Sequence, residues 1–590
     1  MNKFTAILSV AIALSTVDMA LCQQRQEPTS SVAMPPSWEP GHNIRYFVPN
    51  DPLFPSQWHL DNLVGDPHVN VSPAWASGIT GSGVTIGIVD DGLQHAHPDL
   101  APNYVAADSW DFGGADPDPS PVHSNIGPGD FSGDNHGTSV AGVAAARGGN
   151  ALGVTGAAPD AGLAGLRIDF PTQTSAMFAG ATLFHSDGVG AFGSNIQVKN
   201  HSYGIAVPYI DTSLEVTALK ISASNGTIHT FAAGNERSLH SFFIDVNDSG
   251  GFTPDIDLAI DGDANKKHTQ SVQESIAVAA LGHDGGFASY SNWGANVFVT
   301  APSSGAGLGI TTTDRTAGGV TGGYNHDPGG GVDGDPLADL DYMSTFGGTS
   351  SASPLVAGIM ALGQQVLGAM DERTAKHLMV STNALVDALD ATITGGGDGA
   401  TPGSAWITNA AGNAFNMNYG FGLVDADAFT TQAALVSGVT PLVTETTGTL
   451  AGGAIPDAGF GPLTKFFSLA TPGTLEEVEL TLDISHTWRG DIEAYLTSPL
   501  GTTSRLMHNN GADSFNSIDW TFVTNAFWGE NPVGTWTLDI FDTFGLDTGT
   551  LNDYSVLAKT GSLIAIPEPG SIVLLLMALC GLRGSSRSGR

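Results

Sequence analysis

Cysteine is nearly absent. The 590 residues contain two, Cys22 and Cys580, and both fall in end segments that read as targeting signals. The body of the chain therefore offers no disulfide and no thiol nucleophile, and its stability must come from core size or bound ions. Positive charge is also scarce: 20 Lys and Arg stand against 58 Asp and Glu, a formal net charge of −38. This balance excludes nucleic acid as a partner, because phosphates are held by Lys and Arg. Two readings of the acids stay open, a soluble extracellular surface or ligands for calcium, a hard cation that takes carboxylate oxygens. No short-period repeat is present. With 41% apolar residues and 77 glycines the chain reads as globular and turn-rich rather than disordered, and its length predicts two or three domains.

The two ends are addresses. Lys3, the apolar Ala6 to Leu14 and the segment Ala20-Leu21-Cys22 form a signal-peptide pattern over 1–22. A lipoprotein reading of Cys22 is disfavoured by the bulky Leu21 before it. At the other end IPEP (Ile566 to Pro569) leads into SIVLLLMALC (Ser571 to Cys580) and then Arg583, Arg587 and Arg590. That apolar run is short for a bilayer span. The tripartite end, 563–590, looks like a PEP-CTERM sorting tail, which implies exosortase-type sorting machinery as a partner and delivery to the envelope or matrix. An ordinary membrane tail is the alternative.

Residues 23–42 are rich in Gln, Pro and Ser and read as a linker. Over 43–438 short apolar runs alternate with Gly- and Ala-rich helical stretches. VTIGIV (Val84 to Val89), GLAGLRI (Gly162 to Ile168), TIHTFAA (Thr227 to Ala233) and SIAVAA (Ser275 to Ala280) predict buried strands, and His136 to Ala146 a helix of small residues. Strands alternating with helices predict an α/β fold with a parallel sheet, whose active site gathers at the C-terminal ends of the strands. Over 439–562 the pattern changes to period two: Val478 to Ile484, Asp491 to Leu496 and Trp536 to Phe541 predict a second domain, an antiparallel β-sandwich.

Three separated segments carry chemistry. Asp90 follows the first strand, His136 stands in DNHGTSVAG (Asp134 to Gly142), and Ser350 in GGTSSASPLVAG (Gly347 to Gly358). A serine hydroxyl needs a base to become a nucleophile. Histidine titrates near neutral pH, and a buried carboxylate holds the imidazole in the right tautomer. The order Asp, His, Ser is that of subtilisin. Ser350 precedes helical sequence, so its N–H and the helix dipole can meet an oxyanion. FAAGNE (Phe231 to Glu236) supplies a second donor, the Asn235 amide.

These motifs, with NDPLFPSQWHL (Asn50 to Leu60), WDF (Trp110 to Phe112) and ADPDP (Ala115 to Pro119), make residues 50 to 438 resemble a subtilase of the kexin/furin-like branch. LEEV (Leu475 to Val478), RGDI (Arg489 to Ile492), SPLGT (Ser498 to Thr502) and WGENPVGTW (Trp528 to Trp536) resemble the P domain of that branch. The resemblance implies a subtilisin-like parallel sheet flanked by helices, serine endopeptidase activity on protein or peptide substrates, and structural Ca2+. It implies Asp90, His136 and Ser350 as the triad and Asn235 as the oxyanion donor. Ser202, Tyr203 and Gly204 would pair with the substrate backbone, and Asp91 would line a second subsite that favours a basic side chain. Asp51, Asp99 and Asn150 match one calcium site; Asp111, Asp116 and Asp118 match another, though without the family Asp-Pro-Asp-Pro is an acidic turn. His95 and His97 alternate, but with no third ligand near them they read as a solvated loop rather than a zinc site.

The pattern departs from the branch at two places. Val207 stands where an acid of the first specificity pocket is expected, leaving Asp261 in DGDAN (Asp261 to Asn265) as the pocket acid, so cleavage after paired basic residues is not expected. Only residues 23–42 lie between signal peptide and catalytic domain, so a self-processed prodomain is not expected either. The rival reading is an inactive subtilase-fold adhesion or scaffold protein; an intact triad argues against it. A monomer is expected.

Overall fold

The computed structural model describes residues 48–61, 65–124, 133–237, 241–244, 256–316, 322–325, 335–392 and 406–566. The expected signal peptide (1–22) and linker (23–42), and the expected sorting tail beyond Ile566, lie outside them. Strand β1 (Thr85–Asp90) is apolar and β-branched and is buried beyond Thr85, as a strand covered on both faces must be. It pairs in parallel with β3 (Gly162–Arg167) on one side and β4 (Val198–His201) on the other. Strand β2 (Trp110–Asp111) extends the sheet beyond β3, and β5 (Ile228–Ala232) beyond β4. Strands β6 (Ser241–Ile244) and β7 (Ile256–Ala259) form a separate antiparallel pair, and β8 (Ile276–Leu281) and β9 (Val297–Pro302) complete the order β2-β3-β1-β4-β5-β8-β9.

That order reverses direction between β1 and β4, and such a switch point leaves a crevice at the strands' C-terminal ends. Val89 lies beside His201, and His201 beside Phe231. Asp90, Ser202 and Ala232 therefore emerge side by side at one edge of the sheet.

Helix α1 (Ser72–Ala76) is short. Helix α2 (His136–Ala145) is buried at every residue after His136, and its glycines explain how it enters so deep. A Cβ at Gly137 would stand 2.2 Å from the Gly92 carbonyl, and one at Gly142 the same distance from Thr313 Oγ1. Helices α3 (Ser175–Leu183) and α4 (Ser213–Ser224) flank the sheet. Strands β10 (Ile310–Thr313) and β11 (Tyr342–Phe346) pair antiparallel and lead into α5 (Thr349–Leu367), which is buried from Thr349 to Gln364. Helices α6 (Glu372–Thr382) and α7 (Ala426–Ala433) follow. Among the described residues no single helix is long and apolar enough to cross a membrane.

The second domain consists of two antiparallel sheets sharing one core that includes Leu480, Leu482, Ile484, Trp536, Leu538 and Ile540. Its longest strands, Leu475–His486 and Gly549–Thr560, pair with each other. The alternation read at Val478 to Ile484 follows the burial pattern of that strand, with Val478, Leu480, Leu482 and Ile484 inward. The two domains meet through polar contacts. Glu476, fully buried, accepts from Arg373 at 2.6 and 2.7 Å and lies 2.9 Å from His377 Nε2. Asn265 of the first domain donates to the carbonyls of Leu506 and Val523 and accepts from Val523 N.

Candidate active site

Asp90, His136, Asn235 and Ser350 come to the crevice from four separate segments. Asp90 ends β1 and holds His136, the first residue of α2: Nδ1 lies 2.9 and 3.0 Å from the two carboxylate oxygens. Burial alone would lower the imidazole pKa, but the charge and hydrogen bond of Asp90, joined by the charge of Asp91, outweigh it and raise it above the ordinary value. The His136 ring packs edge-on against Phe346, centroids 5.5 Å apart. Phe346 ends β11, and four residues on, in the first turn of α5, stands Ser350.

Helix α5 carries Pro354 in its interior. A proline has no N–H to give to the carbonyl four residues back, which here is that of Ser350. That carbonyl accepts instead from Ser202 Oγ at 3.0 Å. The Ser350 hydroxyl in turn donates to the Ser202 carbonyl at 3.3 Å rather than to His136. Nucleophile–base hydrogen bonds are often long in ligand-free sites and tighten with substrate bound.

Gly348 precedes the helix at φ +73°, the left-handed region that favours glycine. A Cβ there would stand 3.1 Å from Asn235 Nδ2 and 3.5 Å from both Ser350 N and Ser350 Oγ. Asn235 Oδ1 accepts from Thr349 N at 2.8 Å and Thr349 Oγ1 at 3.0 Å, which fixes the amide with Nδ2 facing that space. Two N–H donors and the nucleophile oxygen thus surround one small volume kept open by a glycine.

A cleft of about 340 Å³, open to solvent, adjoins Ser350. Its walls are Ser202 to Ile205 and Ala232 to Glu236, with Lys267 and Gln270 completing it. Ser202, Tyr203 and Gly204 thus line the cleft. Asp261 does not. It is 5% exposed, its Oδ1 accepts from Asp263 N, and its Oδ2 takes Lys266 Nζ at 2.5 Å and Asn510 Nδ2 at 3.2 Å. Its charge is neutralised inside the domain junction, and Lys267 and Gln270, which sequence reasoning missed, hold the cleft position. Asp91 is committed elsewhere as well. Its two oxygens accept His136 N at 2.9 Å and Gly137 N at 2.7 Å, anchoring the N-terminus of α2.

The expected metal ligands divide. Asp51 and Asp99 are both buried around the loop at 147–154. Asp51 accepts from Gly149 N, Asn150 N, Ala151 N and Thr155 Oγ1, and Asp99 from Asn150 Nδ2 and Val154 N. Asp111 instead pairs with the buried Arg167 at 3.1 Å, a guanidinium that also takes Asp134 and Asp169. Asp116 Oδ1 accepts from Asp118 N, and Asp118 faces His95 at 3.3 Å. Among the described residues no three His, Cys, Asp or Glu side chains converge as a metal cluster. His97 is not solvated as expected: it is buried, with Nε2 2.9 Å from the Asp341 carbonyl.

The Subtilase family matches residues 81–422, and the proprotein convertase P-domain matches residues 475–557. The chain is 31% identical over 519 residues to neuroendocrine convertase 2 of Drosophila melanogaster, covering 83% of this chain and 69% of that protein. It is 30% identical over 533 residues to furin of Mus musculus, covering 87% of this chain but only 58% of furin. The Aeromonas extracellular serine protease of Aeromonas sobria is 29% identical over 602 residues, 92% of each chain. The crystal structure of that organism's serine protease in complex with a chaperone aligns with a TM-score of 0.76 at 26% identity, covering 89% of this chain and 98% of that one.

Proposed function

Because the chain belongs to the subtilase family, we propose that it is a serine endopeptidase whose chemistry runs through Asp90, His136 and Ser350. The observation that carries this is the open volume at Gly348, with Asn235 Nδ2, Ser350 N and Ser350 Oγ on its rim. Ser350 Oγ attacks the scissile carbonyl while His136 Nε2 takes its proton. Asp90, on Nδ1, stabilises the imidazolium. The carbonyl oxygen becomes an oxyanion between Asn235 Nδ2 and Ser350 N, two donors fixed before the reaction begins. Collapse of this adduct expels the amine, which leaves with the proton from His136, and water hydrolyses the acyl-serine by the same steps. Ser202, Tyr203 and Gly204, beyond the end of β4, are the backbone edge for the substrate, a β-augmentation.

We read the buried carboxylates of Asp51 and Asp99, with Asn150 and the loop at 147–154, as a calcium site. Neither aspartate has an ion pair among the described residues, and carboxylate, amide and carbonyl oxygens are a hard donor set. When bound, calcium would cross-link this loop and add stability. Asp111, Asp116 and Asp118 fit an ion poorly, since Arg167 already compensates Asp111. The two end segments support export, with exosortase-type machinery acting on the tail.

The test is Ser350→Ala. Peptide hydrolysis and labelling by a fluorophosphonate should vanish while thermal melting is retained. Unchanged turnover in this variant overturns the reading.

A further inference from the structure

The floor of the cleft beside Ser350 has the wrong chemistry for a basic side chain. Gln270 crosses between the walls: its Nε2 donates to the Ala232 carbonyl at 3.2 Å and lies 3.2 Å from where a Cβ on Gly204 would stand. This shortens the cleft. Lys267, also on its lining, is 4% exposed. Its ammonium donates to the Ala206 carbonyl, its one hydrogen-bond partner among the described residues, whereas an ammonium carries three N–H donors. The acid on the opposite wall, Glu236, has Oε2 taken by Asn235 N at 3.1 Å and Asn292 Nδ2 at 2.6 Å, and its charge is opposed by that of Lys267. Asp261 is spent on Lys266, and Val207 brings no charge.

The floor is also held in place. Just before Lys267, Asn265 is clamped by the second domain, and Lys266 Nζ donates to the His508 carbonyl at 2.7 Å as well as to Asp261. Lys267 has little freedom to withdraw from an incoming cation.

We propose that Lys267 and Gln270 set the primary specificity of the cleft, which accepts a P1 side chain (on the acyl side of the scissile bond) ending in a carboxylate or carboxamide, glutamate foremost. A carboxylate meets the unspent donors of a desolvated ammonium. Arginine would bring a second cation against Lys267, which discriminates against it. This inference rests on the peptidase reading above.

The experiment is kcat/KM of the full chain on peptides differing only at P1, with Glu, Gln, Leu and Arg, and with active sites counted by fluorophosphonate titration. Glu should exceed Arg by ~10-fold or more. Lys267→Met should bring the Glu/Arg ratio to near one or below, and Lys267→Glu should reverse it in favour of Arg. Lys267→Gln, which keeps a donor without the charge, should move the preference from Glu to Gln. Because each ratio is taken within one variant, a general loss of folded enzyme cancels. Arg as the best P1 residue, or an unchanged ratio in Lys267→Met or Lys267→Gln, overturns the proposal. Absence of any fluorophosphonate labelling of the wild-type chain overturns the peptidase reading instead.

Discussion

Asp91→Asn separates two roles for the second aspartate of the pair. From sequence it lines a subsite for a basic side chain. In the structure it is 7% exposed, with both oxygens on the N-terminus of α2, at His136 N and Gly137 N. A carboxamide keeps one acceptor and turns the other into a donor, so one of these buried N–H groups faces an N–H. An unsatisfied buried donor costs about 1–3 kcal/mol, and loss of an anion at a helix N-terminus about 0.3–1 kcal/mol. Some of this is returned: burial, and then the charges of Asp90 and Asp134, hold the Asp91 pKa well above the ordinary carboxylate value, so removing its charge relieves repulsion. The balance is a loss of about 1–2 kcal/mol, a melting temperature lower by about 2–5 °C for a domain of this size. His136 is the first residue of the helix, so its loosening lowers kcat/KM by the same factor whatever the residue at P2. The assay is thermal melting together with kcat/KM on a peptide pair, P2 Lys against P2 Leu. An unchanged melting temperature with loss confined to the P2 Lys peptide refutes the helix-anchoring argument.

Asn235→Ala should lower kcat by ~10²–10³ with little change in KM; a fall of less than tenfold would mean that Nδ2 does not meet the oxyanion. Pro354→Ala adds an N–H that competes with Ser202 Oγ for the Ser350 carbonyl, now 3.0 Å apart. It should keep or raise the melting temperature while kcat/KM falls, and a stability loss without a rate effect contradicts the account of the motif. Glu476 would be raised by burial, but His377 and Arg373 outweigh this and hold its pKa below the ordinary 4.5. A depressed folded pKa contributes stability that is present above the unfolded value and lost as pH falls through the folded one. Melting temperature should therefore drop more steeply below about pH 4.5 in the wild type than in Glu476→Gln; parallel curves refute it. Chelation of calcium should lower the melting temperature of the wild type but not of Asp99→Ala; no shift in the wild type removes the site.

What was legible was local. Val84 to Val89 reads as a buried strand because it is short, apolar and β-branched, and a residue following such a strand in a parallel sheet stands at the site, as Asp90 does. The helix from His136 was legible from its small residues, though their cause, the Gly92 carbonyl 2.2 Å from where a Cβ on Gly137 would stand, was not. What failed was direction and distant pairing. Asp261 had the right spacing for the cleft, but its partner Asn510 lies 249 residues away in the other domain. Arg167, which takes the charge of Asp111, is 56 residues from it and sits in a strand read only as apolar. Lys267 left a signal that went unread: in a chain with 20 bases among 590 residues, Lys266 and Lys267 are adjacent and lead into a buried strand.

That adjacency gives the second domain a part in the site. Neighbouring residues of one segment face opposite ways: Asp261, Asn265 and Lys266 toward the sandwich, Lys267 and Gln270 toward the cleft. On the sandwich side Trp520 Nε1 donates to the Asn265 carbonyl at 2.9 Å, and Asn510 Nδ2 to that of Ile260 at the same distance. Each net hydrogen bond is worth about 0.5–1.5 kcal/mol, so the contacts of Asn265 and Lys266 together outweigh the conformational entropy of a residue or two, about 1–2 kcal/mol each. The cleft floor is ordered by the sandwich before substrate arrives. A sandwich that only covered apolar surface would meet this segment through side-chain packing alone; instead it also holds the main-chain carbonyls of Ile260 and Asn265, in the segment that leads to Lys267. Its removal should therefore blur discrimination at P1 more than it slows acylation of Ser350, because Asp90, His136 and Asn235 are all positioned within the first domain.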